Sequence, residues 1–180
     1  MSKVKQQDPR LRLVEAPEDP IARQLFDQLA AGRGILNLHR MMAHAPELMR
    51  ASSDMAVALR TRTRLARPLA ELVIMRTAQV MDCGYVFDRH LPLARACGVA
   101  ERQIAELAQW RTSAAFTFAQ KTALDFAVRV AARGPVDAAI FAALRRHFSP
   151  QEIVEITMLI GHYVGTAMLI NALGVPPEER

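Results

Sequence analysis

Cysteine is scarce in this chain of 180 residues: Cys83 and Cys97 are the only two. Two thiols make no disulfide framework, and the default expectation is a cytoplasmic, reducing location. Aromatic residues make up only 6%, and no alternating strand-period run competes with the helical patterns. No glycine-rich phosphate loop is present, so no nucleotide cofactor is expected. Besides His90, the histidines are His39, His44, His147 and His162. None has tight ligand spacing, and His39 and His44, five apart, share a helix face poorly, so no metal is expected. The first residues are polar and charged, unlike a signal peptide. No repeat of long fixed period occurs. The most apolar window, Ile153 to Val175, contains Glu155, His162 and three glycines. It therefore reads as a core helix and not as a membrane span.

Half the residues (51%) are hydrophobic, with many Ala, Leu, Met and Arg. That mixture suits packed helices, and the length suits one domain with a real core. The net charge of +5 is unevenly spread, with Lys3, Lys5, Arg10 and Arg12 in the leader and Arg60, Arg62, Arg64 and Arg67 further on. No zinc-finger spacing or aromatic-interleaved basic motif accompanies these clusters. They read as a solvated face, or as a surface that draws in small anionic substrates, and nucleic acid is not the expected partner.

Asp8-Pro9, Pro17 and Asp19-Pro20 break any pattern over residues 1–19, which read as a flexible tail before a domain at 20–180. From Ile21 the apolar spacing is helical until Gly32 and Gly34. Asn37 is a candidate cap for a helix ending before Pro46. Pro46 opens a helix to about Arg60, and Pro68 opens another to about Met81. Asp82-Cys83-Gly84 marks a break. A helix from about Tyr85 ends at Cys97-Gly98. Glu101 to Trp110 and Ser113 to Ala132 read as helices, and Asp137 caps the next. Ser149-Pro150-Gln151-Glu152 matches a capping box for a last helix to Leu173. The fold class is all-α, with eight or nine helices.

The segment from Glu71 to His90 holds a carboxylate, a thiol, a phenol and an imidazole within twenty residues. Glu71 precedes Cys83 by twelve; Tyr85 follows it by two and His90 by seven. A thiol at a helix start faces unpaired backbone N–H groups and the positive end of the dipole, which favour thiolate. The other reading of Cys83 is a small buried core residue. Glu71 lies in an apolar run, where it either complements the dipole after Pro68 or needs a partner. Tyr85 either donates to a substrate oxygen or packs.

These residues and offsets resemble the carboxymuconolactone decarboxylase and alkylhydroperoxidase D-like family. The flanking segments, NLHRMMAHAPELMRA and EIVEITMLIGHYVGTAMLINALGVP, resemble the family's parts before and after its catalytic hairpin. The resemblance implies an alkylhydroperoxidase D-like helical bundle around a central helical hairpin, assembled as a homo-oligomer, trimer or hexamer. It also implies acid–base work for His90, with Glu71 as its orienting partner and Cys83 or Tyr85 as a donor in the pocket. Arg40 is assigned to the substrate carboxylate. Dithiol relatives carry a second cysteine where this chain has Val86. Three expectations follow. The first is a cofactor-free lyase or isomerase acting on a small anionic lactone or keto acid. The second is a monothiol peroxidase, of peroxiredoxin type, using Cys83. The third is a helical assembly protein without chemistry.

Overall fold

The computed structural model describes residues 8–32 and 34–178, which divide into two compact units. One comprises the chain up to Ala58 and the end from Leu169; the other runs from Leu59 to Met168. Among the described residues every regular element is helical.

In the first unit, α1 (Pro20–Ala30) is capped by Asp19, whose carboxylate accepts the N–H of Ile21 (2.8 Å) and of Ala22 (3.2 Å). The chain then turns at Gly34, whose φ of +85° is one that L side chains rarely adopt. α2 (Asn37–Met42) follows, then α3 (Pro46–Thr61). Asn37, expected as the cap of α2, is instead its first helical residue. Leu36 holds the cap position, and Asn37 donates its N–H to Glu178 (2.9 Å) and its amide to the Pro176 carbonyl (3.2 Å). A small core gathers Ala22, Phe26, Ala43 and Met49. The stretch read as a tail is fastened where it is described. Arg10 donates its N–H to the Leu173 carbonyl (2.9 Å), His44 Nε2 meets the Arg12 carbonyl (2.7 Å), and Glu15 pairs with Arg40 (2.9 Å). Lys3 and Lys5 of the leader lie outside the described residues.

In the second unit, α4 (Arg67–Val80) packs against α5 (Gly84–Ala96) and α7 (Phe118–Ala131). α4 and α5 form the expected hairpin. Its turn places Asp82 in the left-handed region (φ 48°), which Asp tolerates better than most residues. α6 (Glu101–Ala105) and a short 3-10 turn (Leu107–Gln109) lead to α7. α7 begins at Phe118 and not near Ser113, because the intervening segment folds inward. Trp110 and Phe116 enter the core beside Leu72, Met75, Ala94, Leu107 and Leu124, and the Ser113 hydroxyl donates to Glu106. α8 (Ala138–His147), capped by Asp137, packs on α7.

α9 (Pro150–Leu173) opens with the expected capping box: Glu152 accepts from Ser149 N–H (2.8 Å), and the Ser149 hydroxyl accepts the Glu152 N–H (3.3 Å). Glu155 of α9 accepts the N–H groups of Arg64 and Leu65 (2.9 and 3.0 Å), fixing the loop that leads into α4. α9 is long and apolar enough to cross a membrane by length and composition, and 39% of its apolar window is buried. It is thus less enclosed than the core helix expected.

Candidate active site

The geometry starts on α4, where nine of fourteen residues are buried. Glu71 is one of them, fully enclosed among Leu72, Val73, Ile74 and Met75. It lies one turn beyond the first turn of α4, so complementing the dipole does not explain it. A buried carboxylate needs partners, and Glu71 has two. One oxygen accepts from Arg67, one turn earlier on the same helix. The other lies 2.7 Å from Nδ1 of His90 on α5. The antiparallel hairpin brings these two residues, nineteen apart in sequence, together. An ionised Glu71 accepts the Nδ1 proton of a neutral imidazole, which leaves Nε2 as the unprotonated nitrogen. Nε2 has no hydrogen bond to the described residues and is not among their fully buried unsatisfied atoms.

Arg67 was not singled out as a site residue in the sequence. Its i, i+4 spacing to Glu71 was the readable signal. Its Nη1 is buried without a hydrogen-bond partner. The α9 contribution was also missed. The Tyr163 ring meets the His90 imidazole edge-on, 4.9 Å between centroids, and His162 meets Tyr163 in the same manner at 5.2 Å. Burial first, then the charges of Arg60 and His90, push the His162 imidazole below its ordinary value. Neither contact has a local sequence signal, because each depends on how α9 lies against the hairpin.

Cys83 sits at the N-cap of α5, as expected, and is 2% exposed. Burial pushes its thiol up. Backbone N–H groups of Val86 and Tyr85 act in the opposite direction, and the Asp82 charge adds to the rise. The helix start does offer its donors, but desolvation of the sulfur outweighs them. The expected acidic thiolate is therefore not what the resting site favours. Val86 is buried one turn before His90, and Tyr85 is half-buried beside it. Cys97 caps the other end of α5, its sulfur donating to the Ala94 carbonyl (3.3 Å). Burial, then the charge of Glu71, also raises its thiol.

Arg40 stands in the first unit, on α2, whereas the Glu71–His90 pair is in the second. Its guanidinium is engaged by Glu15 (2.9 Å), the Ile35 carbonyl (3.2 Å) and Asn37 (3.4 Å). That occupancy speaks against the carboxylate-holding role assigned to it. Among the described residues no three of His, Cys, Asp and Glu converge as a metal site would require.

A buried Arg–Glu–His chain across a helical hairpin defines a class of all-helical protein, and the comparisons agree. Residues 46–129 match the model of the carboxymuconolactone decarboxylase family. The chain is 31% identical over 130 residues to the uncharacterized protein YnjA of Escherichia coli K12, covering 67% of this chain and 71% of that one. It belongs to the carboxymuconolactone decarboxylase family. Among solved structures, its fold is similar to the alkylhydroperoxidase AhpD core of a peroxidase-related protein from Ralstonia eutropha JMP134. That match has a TM-score of 0.82 at 24% identity and covers 95% of this chain and 93% of that one. The debrominase Bmp8 shares the fold at TM-score 0.79 and 17% identity, over 92% and 90% of the two chains. At these identities the two structures speak for the fold alone.

Proposed function

We propose that this protein is a cofactor-free acid–base catalyst that decarboxylates or isomerises a small anionic lactone or keto acid. The observation that supports this reading best is the buried Glu71–His90 hydrogen bond of 2.7 Å, backed by Arg67 on the second carboxylate oxygen. Such a chain holds the imidazole in one orientation, with Nε2 turned to a substrate.

In a decarboxylation the bond between the carboxylate and its neighbouring carbon breaks. Its electron pair moves into an enolate, carbon dioxide leaves, and the carbon takes a proton. His90 delivers that proton. In an isomerisation it removes a proton and returns it one position away. Arg67 takes the role first assigned to Arg40. Its Nη1 is a buried donor without a protein partner, and a substrate carboxylate or carbonyl oxygen would satisfy it. The enclosed, raised thiol of Cys83 suits a donor to substrate better than a nucleophile.

The test is proton exchange. The protein is incubated in deuterated water with a panel of small keto acids and lactones, and deuterium uptake beside the carbonyl is followed by NMR. Wild type accelerates uptake in at least one of them. His90→Gln loses about 10²–10⁴-fold of that acceleration, and Cys83→Ala keeps it. Full exchange in the His90 variant would sink the reading.

The backbone N–H groups of Tyr85 and Val86 aimed at the Cys83 sulfur favour a second reading, a monothiol peroxidase. There the thiolate attacks the peroxide, the O–O bond breaks, an alcohol or water leaves, and an external thiol reduces the resulting sulfenic acid. Thiol-dependent peroxide consumption lost in Cys83→Ala, with no proton exchange in wild type, would favour this second reading.

A further inference from the structure

α9 has a second apolar face that its own fold leaves uncovered. Its inner side is buried through Ile153, Ile156, Leu159, Ile160, Tyr163 and Ala167. On the outer side Val154 is 62% exposed, Met158 45% and Met168 58%, with Gly161 and Gly165 exposed between them. The intervals are four, three, four and three residues, the seam of one helix packed along another. No Asp, Glu, Lys or Arg occurs between Glu155 and Glu178. A Cβ added at either glycine would meet nothing within 4 Å. An exposed apolar strip of this kind marks an interaction surface.

The order along the strip identifies the occupant. It reads the same in both directions about Tyr163: Met158 mirrors Met168, and Gly161 mirrors Gly165. A two-fold axis at that level sets the strip against an antiparallel copy of itself, methionine to methionine and glycine to glycine. The glycines let the two backbones approach closely at the crossing point, and the long, adaptable methionines fill the space where the helices diverge. Charge agrees with this pairing. The strip adds no like-charge contact between two chains of net charge +5, and antiparallel alignment lays the positive end of one helix dipole along the negative end of the other. A lipid surface fits less well, because two glycines at the centre offer little apolar area to bury.

We propose that the α9 face of the second unit is a self-association surface on which a second copy of this chain docks antiparallel across a two-fold axis at Tyr163. From Val154 to Met168 the strip is about 21 Å long at 1.5 Å per residue. That is short of the roughly 800 Å² per partner of a standard interface, so the isolated contact is a reversible dimer. Such a contact belongs in a dihedral hexamer and not in a cyclic trimer. The proposal does not depend on the acid–base reading.

Sedimentation velocity from about 1 to 100 μM, the range of weak interfaces, should show a concentration-dependent dimer or an assembly built from dimers. Gly165→Leu, for which the free chain has room, should weaken association at least tenfold with its thermal midpoint kept or raised. In a Cys97→Ser background, a Met158→Cys chain mixed with a Met168→Cys chain should cross-link on mild oxidation, while Met158→Cys alone should not. A monomer throughout, or an assembly that Gly165→Leu leaves intact, overturns the proposal. Cross-linking by Met158→Cys alone overturns the antiparallel register. Flotation of the wild-type protein with phosphatidylcholine–phosphatidylserine vesicles would assign the face to lipid instead.

Discussion

α4 and α9 distribute polarity in opposite ways. α4 carries an arginine at each end of its middle portion and a glutamate between them, yet nine of its residues are buried. α9 has no formally charged residue after Glu155, yet only 39% of its apolar window is enclosed. Composition alone would order them the other way. In α4 the buried charge has a partner on each oxygen, so its burial is tolerated and the carboxylate is held for a task. In α9 the exposed apolar face has no partner within its own unit, so its covering comes from elsewhere. Charge inside and apolar surface outside mark the two places where this molecule does something beyond folding.

The most severe way to break the contrast is to remove the charge that α4 encloses. Glu71→Gln keeps the shape but leaves Arg67 and the His90 Nδ1 proton without their acceptor. Removing one partner of a buried pair typically costs about 3–5 kcal/mol. Arg67 keeps 30% of its side-chain surface, so solvent screening reduces the expected loss to roughly 2–4 kcal/mol. Urea denaturation measures it. A variant as stable as wild type would mean that Glu71 is not bearing charge against Arg67, and the contrast with α9 would lose its basis.

His90→Gln separates task from stability on the same pair. The amide remains able to donate to Glu71, and no large cavity opens. Catalysis should fall by about 10²–10⁴-fold, with the thermal midpoint within a few degrees of wild type. A variant of low stability and undiminished turnover would make the buried chain a structural device.

Much of this was readable in advance, and the failures share one cause. Helix breaks at Gly34, Gly98 and Gly174 and caps at Asp137 and Ser149 are local, and they lie where the sequence put them. Glu71 and His90 were legible as a pair because the hairpin connecting them is short. What failed was long-range. Cys83 does sit at a helix start, but whether water reaches the sulfur depends on what packs above it. Asn37 was taken for a cap because its side chain suits one, while its actual partners are at the far end of the chain, at Pro176 and Glu178. Arg40 was chosen by type, and Glu15, twenty-five residues away, occupies it. Tyr163 and His162 could not be tied to His90 without knowing the path of α9.

That α9 contact yields a smaller, pH-dependent effect. Burial, then Arg60 and His90, hold the His162 imidazole below its ordinary value of 6.5. As pH falls, the unfolded chain therefore takes up this proton before the folded one does. The associated stability is complete above the ordinary value and is lost as pH drops from there towards the depressed one. Urea midpoints measured from pH 8 to pH 5 should decline less steeply in His162→Gln than in wild type. Equal declines would remove His162 as a buried neutral group and loosen the link between α9 and the hairpin.

The mildest change tests the turn that joins α4 to α5. Val86 lies three residues after Cys83, buried, within the first turn of α5. The backbone N–H groups of residues 85 and 86 already face the Cys83 sulfur, so a thiol at position 86 starts close to it. Cysteine is slightly smaller than valine and apolar enough for the site, and the exchange should cost less than about 1.5 kcal/mol. Val86→Cys should therefore stay folded and form an intramolecular disulfide on mild oxidation, seen by mass spectrometry as the loss of two hydrogens and two alkylatable thiols. Peroxide turnover with an external dithiol should rise from negligible in wild type to measurable. The disulfide also relieves the one group on the hairpin that burial keeps from ionising, since neither sulfur then has to carry charge at rest. If wild type already turns over peroxide efficiently, Cys83 is activated despite its enclosure. If no disulfide forms in the variant, the two side chains diverge from the helix start, and α5 holds its thiol for the acid–base site alone.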